Sequence, residues 1–199
     1  MDTVAEIKAQ YARVLTQSDW KHFKEVAEYY LRLTAELKTN DIKNSHKRLL
    51  LRNSQKRLFV GIGCELLVKS FYLKNGYCIN KFKKKFEGSR TPIHKLAEIP
   101  TGEINAADTF TLSTLIDHLS KVKQFQDIKK IKRGFQIAMA FRNKEGHVTF
   151  PRHEFNHGNY MEISEAVTAF YSEAFSQTLR YQIAMTPEER PIFQFNSRT

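Results

Sequence analysis

The sequence predicts an all-α protein, a helical bundle with added helices at its N-terminus, and three observations predict it. Apolar residues recur at three- and four-residue steps through most of the 199 residues. Gly and Pro are sparse, at 8 and 5 copies, so few points interrupt regular elements. Hydrophobic residues make up 41% of the chain, which supplies one well-buried domain rather than a disordered polymer.

A first helix is expected over 3–16. A second starts after Ser18-Asp19, a capping signal, and carries Trp20, Phe23, Ala27, Tyr30, Thr34 and Leu37 on one side. Thr39-Asn40-Asp41 breaks it. The longest helix then runs from about Asn44 to Lys74 and closes at Asn75-Gly76. Its apolar stripe is read as Leu51, Leu58, Ile62, Leu66 and Leu73. Residues 77–110 read as irregular and basic, interrupted by a short helix over 93–99. Helices resume at about 111–120 and 126–145, and a last one is expected from about Met161 to Ala184, ended by Thr186-Pro187. Gly61 and Gly63 lack the third glycine of a dinucleotide fingerprint, because Leu66 stands there, and read as helix-packing sites. The organisation expected is an N-terminal helical extension over 1–42 packed on the core, a helical core over 43–185, and a tail over 186–199.

The helix expected at 126–145 carries the most informative residues. Ile128, Ile131, Phe135, Ala138 and Met139 form the stripe of an amphipathic helix, and Arg142 falls near its middle. An unpaired buried guanidinium costs several kcal/mol, so Arg142 must be paired or open onto a cleft. Asn143 follows, Gly146 marks the expected helix end, and His147 comes next. A cation, an amide and an imidazole thus gather at one helix terminus. The plainer reading pairs Arg142 with a carboxylate inside the bundle. On the long helix, Glu65 and Lys69 stand four apart in the favourable order for an ion pair, facing the core, with Glu65 within reach of Arg142.

In this order and spacing the chain resembles the HEPN superfamily (higher eukaryotes and prokaryotes nucleotide-binding domain). The residues that carry the resemblance are GIGCELLVKSFYLKNGY at 61–77, HKLAEI at 94–99 and RNKEGH at 142–147, and it spans roughly 43–185. It implies an up-and-down four-helix core that forms homodimers and is often a metal-independent endoribonuclease, used in some cases as a toxin or antiviral defence protein restrained by an antitoxin or regulatory partner. Carried over, Arg142 and His147 are catalytic, Asn143 orients them, and Glu65 and Lys69 support them. No cofactor or metal is implied. Some members of the superfamily have lost activity and serve as RNA-binding, nucleotide-binding or dimerisation modules, which is the alternative function.

Charge and chemistry agree with an RNA partner. The formal net charge is +11, which favours polyanions such as RNA, DNA or an anionic membrane surface, although a basic face kept for solubility is the plainer reading. Lysine and arginine concentrate at 81–90 and 121–134, so Lys81, Lys83, Lys84, Lys85, Lys129, Lys130 and Arg133 are candidates for phosphate contact. Arg152 and His153, a few residues beyond His147, join them. Phe82, Phe86 and Phe125 stand among the lysines and are either base-stacking platforms or core anchors. Cleavage by the 2′-OH needs a base, a proton donor for the leaving 5′ oxygen, and positive charge on the phosphate. Histidine and arginine supply these, and a symmetric dimer supplies two histidines.

A rival motif, HEFNH at 153–157, matches a zinc-binding pattern with Glu154 as base. Pro151 before it and Gly158-Asn159 after it argue against the long helix that zinc chemistry needs, which leaves a zinc hydrolase as the third reading. Cys64 and Cys78 have no metal-type spacing, and Cys64 reads as a small packed hydrophobe. The start MDTVAEIKAQ lacks the features of a secretory signal and no apolar run is long enough to span a bilayer, so a cytoplasmic protein without a membrane partner is expected.

Overall fold

The computed structural model describes residues 3–7, 9–10, 19–36, 45–83, 93–100, 102–145 and 157–179. These residues are mostly helical. Residues 3–7 are helical and exposed. The labelled helices are α1 (Trp20–Glu36), α2 (Ser45–Lys74), α3 (Leu112–Asp117), α4 (Leu119–Val122), α5 (Ile128–Glu145) and α6 (His157–Phe175). Between α2 and α3 lies an antiparallel pair of strands, β1 (Asn80–Phe82) and β2 (Ile104–Thr109), in the register Asn80 to Thr109 and Phe82 to Ile104.

The ends of two helices follow from local chemistry. Asp19 caps α1: its Oδ1 accepts from the Lys21 amide at 2.9 Å, satisfying a donor the first turn leaves open. At the far end of α2, Gly76 adopts φ +75°, where a side chain would be strained. Its amide bonds to the Leu73 carbonyl at 3.0 Å, and the Tyr77 amide reaches back to Tyr72 at 3.0 Å. Those two bonds close the last carbonyls in a Schellman arrangement.

By contacts the chain forms two compact units, 1–27 with 65–128, and 28–64 with 129–199. Both α1 and α2 run from one unit into the other. In the first unit the end of α2 buries Leu67, Val68, Phe71 and Tyr72, with Ile79, Phe110, Leu112, Leu115, Ile116 and Leu119 also buried. The Tyr72 hydroxyl donates to the Leu115 carbonyl at 2.6 Å, and the Phe71 and Phe125 rings meet edge to face at 5.4 Å. The strands belong to this unit. Next to the ladder the Lys83 amide donates to the Glu103 carbonyl at 2.8 Å, beside Gly102 at φ +91°.

In the second unit α2, α5 and α6 supply the core through Val60, Cys64, Ile131, Phe135, Ala138, Ile163, Ala166, Val167 and Phe170. Phe135 and Phe170 meet edge to face at 5.1 Å. Two glycines set how closely the helices approach. A Cβ at Gly134 of α5 would lie 2.3 Å from that of Ala166 on α6, and one at Gly61 of α2 would lie 2.4 Å from that of Arg142 on α5.

Several expectations are corrected. The stretch read as irregular holds the β1–β2 ladder, and the helix expected over 93–99 is only a 3-10 turn at Leu96–Glu98. The last helix begins four residues earlier than expected, at His157, and ends at Phe175 rather than Ala184, because Ser176 takes φ +55°. On α2 the deepest face carries Val60, Gly61, Cys64, Leu67, Val68 and Phe71, whereas Leu58, Ile62, Leu66 and Leu73 are only partly buried and Leu51 is exposed. At Gly61 the close approach of α5 requires a small residue, while Leu67 and Phe71 fill the same face farther along.

Candidate functional site

The stripe on α5 continues to the end of the helix. Ile131, Phe135 and Ala138 are buried, and Arg142 and Glu145 complete the same four-three spacing, within about 80° of one another around the axis. Arg142 is partly buried. The bareness of Gly61 admits its Cβ and Cα to the surface of α2, so the base of the arginine side chain is fixed by helix packing rather than left to solvent. Asn143 and Lys144 are exposed. Arg142 and Lys144 suit the last turn, where the helix dipole favours cations.

Glu145 is the residue that the sequence reading missed. Its carboxylate lies in a buried pair with Arg57 of α2: Arg57 Nε donates to Oε1, and Ser54 Oγ donates to Oε2 at 2.6 Å. The two charged side chains are 6% and 5% exposed, so the pair is desolvated and its value depends on complete hydrogen bonding. Ser54 and Arg57 meet Glu145, and Gly61 meets Ala138 and Arg142, so α2 and α5 run antiparallel through this contact. The signal was present in the spacing, since Ser54, Arg57, Gly61 and Cys64 form one stripe and Arg142 and Glu145 extend another.

The supporting pair lies in the other unit. Lys69 Nζ donates to Glu65 Oε1 at 2.6 Å and to Thr109 Oγ1 of β2 at 2.9 Å. Both side chains are nearly buried, at 9% and 12% exposure, so this is an inward-facing pair and not a surface one. It fastens α2 to the ladder.

The candidate phosphate ligands are spread over exposed surface. Lys81 pairs with Asp108 at 2.8 Å, and Lys83 Nζ donates to the Gly102 carbonyl at 2.5 Å. Lys129 is exposed, Lys130 pairs with Glu165 at 2.8 Å, and Arg133 pairs with Glu162 at 3.2 Å. These exposed pairs are weak and exchangeable, so they leave the cations available to a polyanion. Phe82 packs against His94 and Phe110, and Phe125 is buried, so both are core anchors rather than stacking platforms. His147, Lys84, Lys85, Phe86, Arg152, His153 and Glu154 lie outside the described residues.

Among the described residues no group of three His, Cys, Asp or Glu side chains is placed to hold a metal ion. Burial pushes the thiols of Cys64 and Cys78 up from their ordinary range, which leaves them packed groups and not nucleophiles. No described helix is long and apolar enough to cross a membrane. No protein-family model, curated protein or solved structure matches the chain.

Proposed function

We propose that this chain is a metal-independent endoribonuclease of the HEPN type, with its reactive site at the end of α5 and completed by a second copy of the chain. The observation that carries the reading is the seat of Arg142, a guanidinium-bearing residue set on the inner stripe of a helix one turn from its end and held there against a glycine. Such a placement is costly for a residue that serves only solubility, and it suits a cation that must meet a phosphate in a defined direction.

In this reading Arg142 neutralises the non-bridging phosphate oxygens as the 2′-OH attacks phosphorus. His147 of one copy takes the 2′-OH proton and His147 of the other protonates the departing 5′ oxygen, leaving a 2′,3′-cyclic phosphate and a free 5′-OH. Asn143 orients the reacting groups. Lys81, Lys83, Lys129, Lys130 and Arg133, with Lys84, Lys85, Arg152 and His153, draw the RNA strand to the surface. A toxin or antiviral role, restrained by an antitoxin or regulatory protein, fits an enzyme that needs no added metal.

The test is incubation of the purified protein with mixed RNAs in excess EDTA, beside Arg142→Ala and His147→Ala. The expected result is EDTA-resistant cleavage to 2′,3′-cyclic ends, lost in both variants while each remains a folded dimer by light scattering. Binding without cleavage of any RNA would assign the site to recognition alone, and EDTA-sensitive cleavage would overturn the metal-independent mechanism.

A further inference from the structure

Glu145 is unexplained by the reaction just described. An anion at the last residue of a helix meets the negative end of the dipole, which is unfavourable, and a buried ion pair is a poor source of stability compared with apolar packing. Yet both oxygens of this carboxylate are engaged, one by Arg57 and the other by Ser54. Together with the seat of Arg142 on Gly61, these contacts fasten the final two turns of α5 to α2, from Ala138 through to Glu145. Helix ends fray when left to themselves, and this end is clamped.

We propose that Glu145 is a positioning residue, with Arg57 and Ser54 as its anchors. The clamp fixes the last turn so that Arg142, three residues before it, is held in one register toward the RNA phosphate. The inference rests on the ribonuclease reading above. A second effect follows from charge. The guanidinium of Arg57 balances Glu145, so the carboxylate does not oppose an incoming phosphate near Arg142.

The experiment replaces the clamp by apolar packing in the full chain, as the double variant Arg57→Met/Glu145→Leu, with Glu145→Gln beside it. Apolar replacement of a buried pair commonly preserves or raises stability, so a loss of function cannot be ascribed to unfolding. The expected result is a melting temperature near that of the unsubstituted protein and kcat lower by roughly 10–100-fold with KM little changed. Amide hydrogen exchange at 142–147 should be at least about tenfold faster and unchanged elsewhere in α5. Native kcat together with native exchange in the double variant overturns the proposal. If the double variant does not fold, Glu145→Gln decides: reduced kcat with faster exchange at 142–147 supports the clamp, and native values for both overturn it. Should the unsubstituted protein cleave no RNA, the ribonuclease reading falls, and the exchange measurement alone decides whether the clamp exists.

Discussion

Replacing Gly61 by Ala tests the contact on which the site stands. Isolated from its surroundings, a mid-helix Gly→Ala change is stabilising by about 1 kcal/mol, because alanine is the better helix former. Here the added Cβ would lie 2.4 Å from Arg142 Cβ, 2.8 Å from the Ala138 carbonyl oxygen and 3.3 Å from Arg142 Cα. Ordinary carbon contacts fall near 3.5–4.0 Å, so α2 and α5 would have to part by roughly 1 Å. None of the three atoms can be moved by a rotamer change, which puts the overpacking cost at the upper part of the usual range of about 1–3 kcal/mol. After the propensity gain, a net loss of about 1–2 kcal/mol remains. For a chain of this size that lowers the melting temperature by roughly 2–8 °C. Thermal unfolding followed by circular dichroism reads it directly. A melting temperature raised by a few degrees would show that only helix propensity acts at Gly61 and would refute the close approach of the two helices. The same displacement of Arg142 should reduce RNA cleavage in the folded fraction, by up to about 100-fold for a shift of this size.

Other outcomes follow from the same geometry. Gly134→Ala should destabilise for the same reason, and Ala166→Gly in the same chain should recover only part of the loss, as read by urea unfolding, because it removes the nearest obstructing atom at 2.3 Å but leaves the Glu162 carbonyl oxygen at 2.6 Å. Lys69→Met removes the buried ammonium beside Glu65 and should cost about 3–5 kcal/mol, whereas Glu65→Leu/Lys69→Met together should cost far less; equal losses would place the pair in solvent. Burial pushes the ionisation of Cys64, Cys78 and Tyr72 to higher pH in the folded protein, because the charged forms lose hydration. Their stabilisation is therefore complete below about pH 8.5 and is lost as pH rises above it, where the unfolded chain releases protons that the folded one keeps. Urea midpoints at pH 8 and 10.5 check that sign. If the lysine runs hold RNA phosphates, replacing Lys83, Lys84 and Lys85 by Gln should flatten the salt dependence of binding by roughly 0.7 log units per contact per tenfold salt, with the single-turnover rate at saturating RNA kept; an unchanged slope would make the run a solvated surface.

The features legible in the sequence are those set by local chemistry. Asp19 and Asn75-Gly76 mark helix ends because capping involves only neighbouring residues, and both do so in the structure. The stripe through Ile131, Phe135 and Ala138, with Arg142 turned toward it, was legible for the same reason: period alone fixes which residues share a face. What was not legible depends on partners distant in sequence. The strands are short, and β2 reads Ile-Asn-Ala-Ala-Asp-Thr, poor in strand-forming residues, so the ladder rests on pairing rather than propensity. The inner face of α2 was missed because apolar residues lie all round that helix, Leu58, Ile62, Leu66 and Leu73 as well as Val60, Leu67, Val68 and Phe71, and only the close approach of α5 at Gly61 shows which side faces in. Glu145 was missed because a carboxylate on an apolar stripe gains meaning only when Arg57, 88 residues earlier, is brought against it.

Among the described residues of α2, Arg57 forms a buried ion pair with Glu145 and Lys69 forms one with Glu65. Neither is the cheapest way to fill its space, since apolar residues of like volume are commonly as stable or more so. What an ion pair adds is direction: each carboxylate accepts only from donors placed along its lone pairs, so a shifted helix loses the bond outright instead of sliding to a neighbouring contact. Lys69 ties α2 to β2 through Thr109, and Arg57 ties α2 to the last turn of α5. The long helix therefore has its register set by polar contacts at two points where an apolar contact would tolerate slippage. If Arg142 meets an RNA phosphate as proposed, it must do so within a few tenths of an ångström, and a register that does not slip then serves the chain better than the stability an apolar replacement would add.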